Sequence, residues 1–426
     1  MTTRRALLGL AGLAGASALV GCSADPEIDP ALGPPADQGL KDEITFGIWD
    51  KAQEPAMLQI IEAFNQHYPD IAVSISTTAF GPYFERLRIQ ATGDDLPDVF
   101  WINGPNFELY ASYGMLQDLT DLEGFDTANY PPNMVELYSY QGTPYAIPKD
   151  FDTIGLWYNT RLFDEAGVEH PSAEWTWEDF QLAAKTISDE LGDQGVFGFA
   201  GGVTNQALMY PAIMQAGGEI ISEDGTTSGY DSPGTIEAFT FARSLVEEEA
   251  HPSIAYLTDN KPSDVFNGGK SAMLWSGNWS AAVFKDSPVK ESIRTAPLPQ
   301  GSETANVIHG IGNAMAAEGK NKAAAAAFLA FVSGEAANII QAEEGAANPA
   351  YEGTATAYVE ALPEFDLQMF IDNAADARPY PVSKNTGAWL SLESDYFPRI
   401  LNGELEVEAG LGELAEKMNQ ALADEQ

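Results

Sequence analysis

The chain has a single cysteine, Cys22, and its neighbours suggest what the thiol is for. Leu19-Val20-Gly21-Cys22 resembles a bacterial lipobox, in which small residues let a peptidase free a cysteine that already carries a lipid. A small buried thiol is the plain alternative, but an apolar leader has no core to bury it in. With that thiol acylated none is left for a disulfide, so stability must come from packing. Bond-making chemistry finds little else. His67, His170, His251 and His309 are too scattered for a zinc pair, and no cysteine helps them. There is no G-x-S-x-G elbow and no EF-hand loop. Asn267-Gly-Gly-Lys-Ser271 looks like the tail of a phosphate-binding loop, but the first glycine of that motif falls on Asp264. A strand rather than a helix amino end follows it. The 63 carboxylates are so abundant that no pair stands out as acid and base. The expectation is a protein that needs no cofactor or metal.

The elements that would position a site begin after a leader. Met1-Thr-Thr-Arg-Arg followed by the apolar run Ala6 to Val20 is built like a signal peptide, residues 1–21. Arg4-Arg5 fits a twin-arginine signal and the general secretory route equally. Residues 22–42 then form an anchored, disordered tether with four prolines and two glycines between 23 and 41. It would span roughly 25 Å. No later run reaches the roughly 20 apolar residues of a spanning helix. The formal charge of −42 argues against nucleic acid or an anionic lipid surface as partner. From Glu43 onward strands and helices alternate. Ile44–Trp49, Ile71–Ser76 and Asp98–Ile102 read as strands. Pro55 to Phe64 and Tyr83 to Ala91 read as helices between them. A second such region starts near Thr153: a helix capped by Thr176 and Asp179, with Leu182, Ala183, Ile187 and Leu191 on its apolar side, then a strand at Val196–Phe199. Helices follow at Ala207–Ala216, Thr235–Glu249 and Lys320–Ser333. This alternation predicts an α/β fold with mainly parallel sheets flanked by helices, and ligands beyond the carboxyl ends of the strands. Trp49, Asp50 and Lys51 stand at the carboxyl end of the first strand, and Trp101 and Asn103 at the matching end of the third.

Several stretches resemble one family, the extracellular solute-binding proteins of ABC importers, in particular the sugar-binding group that includes maltose-binding protein. They are Ile61–Val73, Ala91–Trp101, Tyr113–Thr120, Gly142–Pro148, Leu156–Asn159 with Phe163–Gly167 and Thr176-Trp177, and Phe266–Met273 with Gly277-Asn278-Trp279. Together they run from Glu43 to about Pro349; Arg378 to Trp389 is similar in outline. The resemblance implies a two-lobed periplasmic-binding-protein-like fold, with residues 43–150 and 306–348 in one lobe and 153–300 and 350–426 in the other. Crossings are expected near Asp150 to Thr153, within Gln300 to Asn306 and near Asn348 to Ala350, with hinge closure over a ligand in the cleft.

The resemblance also implies a carbohydrate as cargo. Sugars offer C–H faces to aromatic rings and hydroxyls to carboxylates and amides. It makes Trp279, beside Gly277 and Asn278, the stacking residue, with a core tryptophan as the alternative. Asp152 is the hydroxyl acceptor, or a solvated hinge acid, and Asp150 could take the same role. Trp49 is either a site residue or core. Asn103-Gly-Pro departs from the acidic and basic groups of the maltose type. Asn205 and Tyr210 would present the second lobe's contacts, and Arg378 and Trp389 join them on the looser match. Trp157, Trp175 and Trp177 belong to core and helix capping. The implied partners are a sugar and the permease subunits of an ABC transporter, and the chain is expected to be a monomer. A secreted glycan-active enzyme or a ligand sensor for a membrane kinase would be the other readings.

Overall fold

The computed structural model describes residues 40, 42–202, 205–375 and 377–425. Cys22 and the leader lie outside the described residues, as does most of the tether. Two sheets organise the rest. The first has the spatial order Ile71–Thr77, Asp42–Ile48, Val99–Asn103, Ile311–Met315, Ala146–Pro148. The second has the order Ile293–Ala296, Ile154–Asn159, Ser271–Gly277, Phe197–Phe199. Registers give their directions. Asn103 pairs with Ile311 and Pro148 with Gly312 in the first sheet, and Gly277 pairs with Ile154 in the second. Every strand but one in each sheet therefore ends on the same side. The reversed strand, Ile311–Met315 or Ile154–Asn159, is the one that arrives from the other sheet, so it must run away from the crossing. The reversed strand makes two of the first sheet's four ladders and two of the second sheet's three antiparallel, and the carboxyl ends of the other strands point at the crossing segments.

Local sequence accounts for the elements. Ile44, Phe46 and Ile48 are fully buried at alternate positions of their strand, whereas Val99–Asn103 is buried throughout because helices cover both faces. Helix Glu54–His67 turns Met57, Ile60, Ile61 and Phe64 inward and leaves Leu58 exposed. Thr176 and Asp179 form the reciprocal capping box of helix Trp177–Leu191. That helix buries Phe180, Ala183, Ala184, Ile187 and Leu191, but Leu182 is 69% exposed. Leu182 stands two residues after Phe180 and so cannot share its face. The expected helix at Ala207 opens instead with a π-helical turn, Asn205–Met209, before Tyr210–Gln215. Pro211, which lacks an amide hydrogen, stands at the join.

The buried apolar residues form three clusters. One draws on Ile44 to Phe151 and Ile308 to Ala350 around the first sheet. The second draws on Ile154 to Val307 and Tyr380 to Leu422. The third packs Tyr358, Leu362, Phe365 and Phe370 against Trp157 and Leu274 of the second sheet and Phe284 of the short helix Ala281–Phe284. Membership changes between Phe151 and Ile154 and again between Val307 and Ile308, which is where the chain crosses. The crossing segments are themselves paired. Asp152 and His309 exchange both backbone hydrogen bonds, 2.6 and 3.0 Å, and Asp150 bridges to Pro349. Val307–Ile308 pairs in parallel with Arg378–Pro379. No single helix among the described residues is long and apolar enough to cross a membrane.

Candidate functional site

The Pro148-Lys-Asp-Phe-Asp152 segment leaves the first sheet and carries two acids into the crossing. Asp150 is 1% exposed and fully engaged: its Oδ1 accepts the Ile311 amide at 2.7 Å and its Oδ2 accepts Lys149 Nζ at 2.8 Å. Lys149 also donates to Gln53 Oε1 at 2.8 Å and lies 4.7 Å over the Trp101 ring. Gln53 in turn donates to Asp50 Oδ2. A polar chain thus runs from the end of the first strand to the crossing. Asp152 differs. It is buried, and its Oδ1 has no hydrogen-bond partner among the described residues. Burial holds its carboxyl well above the usual range, the Asp150 charge adds to this, and Lys149 and Asn278 oppose it.

Aromatic rings gather at the same strand ends. Trp49, partly buried, meets the edge of Trp101 at 5.3 Å and touches Phe80, Tyr83 and Phe84. Trp101 is fully buried. Asn103 is buried and accepts the Asn106 amide at 2.7 Å. From the second sheet, Gly277 ends its strand beneath Trp279. A Cβ on Gly277 would stand 1.9 Å from Trp279 Cζ3, so only glycine lets that ring lie back on the strand end. Trp279 is partly buried against the second cluster. Asn278 has no exposed surface and ties this turn to the crossing, accepting the Thr153 amide at 3.1 Å and donating to the Phe151 carbonyl at 3.2 Å.

Asn205 and Tyr210 are brought together on a residue the sequence reading did not name. Glu393, 2% exposed, accepts Asn205 Nδ2 at 2.9 Å, Tyr210 Oη at 2.8 Å and Tyr230 Oη. Burial pushes its carboxyl up to about 7 against the pull of these three donors. Tyr210 packs on Tyr380 at 5.2 Å, and Tyr380 on His309 at 4.9 Å, so the cluster reaches the crossing. Three expected residues stand apart. Lys51 is exposed and pairs with Glu54. Arg378 is exposed and pairs with Glu303 at 3.0 Å. Trp389 has no exposed surface, packs in the second cluster and donates to Ser383 Oγ at 2.8 Å. Gln53, Lys149 and Glu393 were missed. Lys149 had one signal, its place between Pro148 and Asp150; the others had none.

Comparison with known proteins fits this geometry. Residues 50–339 match the bacterial extracellular solute-binding proteins. An ABC substrate-binding protein of Listeria monocytogenes, solved with cycloalternan, is similar at TM-score 0.84 and 30% identity, over 90% of this chain and 99% of that one. The GacH receptor of Streptomyces glaucescens, solved with acarbose, has the same fold at TM-score 0.82 and 23% identity, over 91% of this chain and 100% of its own. In sequence, the maltodextrin-binding protein MdxE of Bacillus subtilis is 24% identical over 287 residues, 65% of this chain and 66% of its own. With its two-lobed α/β architecture, this chain belongs to the bacterial extracellular solute-binding protein family.

Proposed function

We propose that this chain captures a carbohydrate between its lobes and delivers it to the permease subunits of an ABC importer, acting as a monomer and changing no bond in its cargo. One observation carries the reading. At the crossing, a buried carboxyl oxygen of Asp152 that no donor among the described residues meets lies beside the turn that lays Trp279 on its strand end. An acceptor and an aromatic face on adjoining segments are what a ring of hydroxyls over C–H faces requires. The relatives named for maltodextrin, cycloalternan and acarbose support the same class. Thermal shift over glucose, maltotriose, lactose and arabinotriose tests it. A sugar that binds only the folded state, at about 100 times its dissociation constant, adds about 2.7 kcal/mol. Trp279→Ala should bind that sugar at least tenfold more weakly while unfolding cooperatively. Stabilisation by a polyamine or a metal and by none of the sugars would overturn the reading, and release of product from any glycoside would make the protein an enzyme.

The proposed site of action is the outer face of the cell membrane, with the chain held there by lipid on Cys22. A single acyl chain anchors only reversibly, so more than one is expected on that residue. In cells, the wild-type chain should fractionate with membranes and carry acyl mass on its first residue, and Cys22→Ser should release it. Membrane retention of Cys22→Ser would exclude this anchor.

A further inference from the structure

His309 belongs to the middle crossing segment and has no role in the reading so far. It stands directly opposite Asp152 in an antiparallel bridge in which the two residues exchange both backbone hydrogen bonds. Side chains directly opposite in such a pair leave the ladder on the same face. Both are more than nine-tenths buried, 6% and 7% exposed, and each ends in a polar atom without a hydrogen-bond partner among the described residues: Asp152 Oδ1 and His309 Nε2. Buried polar atoms are nearly always satisfied in a working state, and leaving one unmet costs about 1–3 kcal/mol. Here two such atoms, one on a carboxyl and one an imidazole nitrogen, stand on directly paired residues at the crossing. The imidazole is also held in place. Its ring packs on Tyr380 at 4.9 Å and 56°. On the Nε2 side the neighbouring residue is Gly104, where a Cβ would lie 3.7 Å from that nitrogen. The Leu137 side chain borders the same spot, 3.1 Å from where that Cβ would be.

We infer that His309 Nε2 and Asp152 Oδ1 act as a pair that reads two neighbouring hydroxyls of one sugar ring, His309 being a binding residue contributed by the crossing itself. This rests on the carbohydrate reading above and adds a residue to it. A carboxyl oxygen accepts, and donates when the group is protonated, the form that burial favours for Asp152, whereas a neutral imidazole nitrogen donates or accepts according to its tautomer. Burial favours the neutral ring, lowering the imidazole to about 4. The pair therefore suits a vicinal diol, since a hydroxyl both donates and accepts, one bonding to Asp152 and the next to His309. Because the two residues lie on different crossing strands, a ligand that bridges them also braces the hinge.

Calorimetric titration of the full-length chain with glucose, maltotriose, lactose and arabinotriose tests the pair, using His309→Phe, His309→Gln, Asp152→Asn and the double variant Asp152→Asn/His309→Phe. Phenylalanine keeps the packing on Tyr380 and removes the polar atom; glutamine restores an amide near the position of Nε2. The expected result is at least tenfold weaker binding of the panel sugar by His309→Phe and binding within about threefold of wild type by His309→Gln, a tenfold loss being about 1.4 kcal/mol. The double variant should lose less than the product of the single losses, since both groups serve one diol. Wild-type affinity in His309→Phe would overturn the inference alone. Failure of the wild-type chain to bind any panel sugar would overturn the carbohydrate reading, and this inference with it. If His309→Phe does not fold, the 15N resonance of Nε2 in wild type decides: a shift on saturation with the binding sugar supports the pair, and an unmoved resonance removes it.

Discussion

At the scale of single residues, Glu393 is the group whose chemistry differs most from its sequence neighbours. Among the described residues, this carboxyl with almost no exposed surface has three neutral donors and no cation as hydrogen-bond partner. Its folded-state titration near 7 lies above the ordinary value of 4.5, so the folded protein binds this proton more tightly than the unfolded chain does. The stabilisation that goes with protonation is complete below about pH 4.5 and is lost as pH rises through about 7. By pH 8 the ionised group costs on the order of 3 kcal/mol. Glu393→Gln keeps the shape and an acceptor for the tyrosines but cannot ionise. The melting temperature of the variant should therefore gain on wild type between pH 5.5 and pH 8, with the largest gap at pH 8. Parallel melting curves across that range would mean that Glu393 is already ionised in the folded protein at pH 5.5, as it is in the unfolded chain.

At the scale of elements, local signals in the sequence were enough wherever an element's reason is local. The capping box of Thr176 and Asp179, the alternation of Ile44, Phe46 and Ile48, and the alanine-rich helix ending at Ser333 all depend on residues a few positions apart. The reversed strand of each sheet was not legible, because its direction is set by a crossing from the other lobe rather than by its own residues. The polar chain from Asp50 through Gln53 to Lys149 was hidden for a related reason: 96 positions separate Gln53 from Lys149. Glu393 receives its donors from 163 to 188 positions away, one of them from a π-helical turn that residue pattern alone reads as ordinary helix. Aromatic residues posed the opposite difficulty. Trp389, Tyr210 and Trp101 are of the types that stack on sugars, yet each is fully buried, and residue type does not separate a platform from a core ring. Trp279 is distinguished by its neighbour Gly277, whose missing Cβ gives the ring its place.

At the scale of the whole molecule, the excess of acids bears on how the lobes meet. Helix Gly104–Ser112 of the first lobe packs against helix Thr386–Leu401 of the second. Glu108 is half-buried there, its carboxyl raised by burial and then by the charge of Glu425, while Lys384 opposes both effects. Lys384 Nζ also donates to the Glu425 carbonyl at 3.4 Å. One lysine thus offsets two carboxylates at the contact between lobes, in a chain with only 21 basic residues against 63 acidic. Reversing it with Lys384→Glu places three acids together, which favours the open form without touching Trp279, Asp152 or His309. Apparent affinity falls with the fraction of molecules able to close. The variant should therefore bind the panel sugar several-fold more weakly at about 10 mM salt, where charges interact over about 30 Å. At about 1 M salt that range shrinks to about 3 Å and most of the loss should vanish. The Trp279→Ala loss, which removes a stacking face, should persist at both salts. X-ray scattering provides the structural readout: without sugar Lys384→Glu should have a radius of gyration no smaller than wild type, and saturating sugar should contract both. An equal loss of affinity at low and high salt would show that Lys384 acts through packing, and the charge at this contact would then have no part in closure.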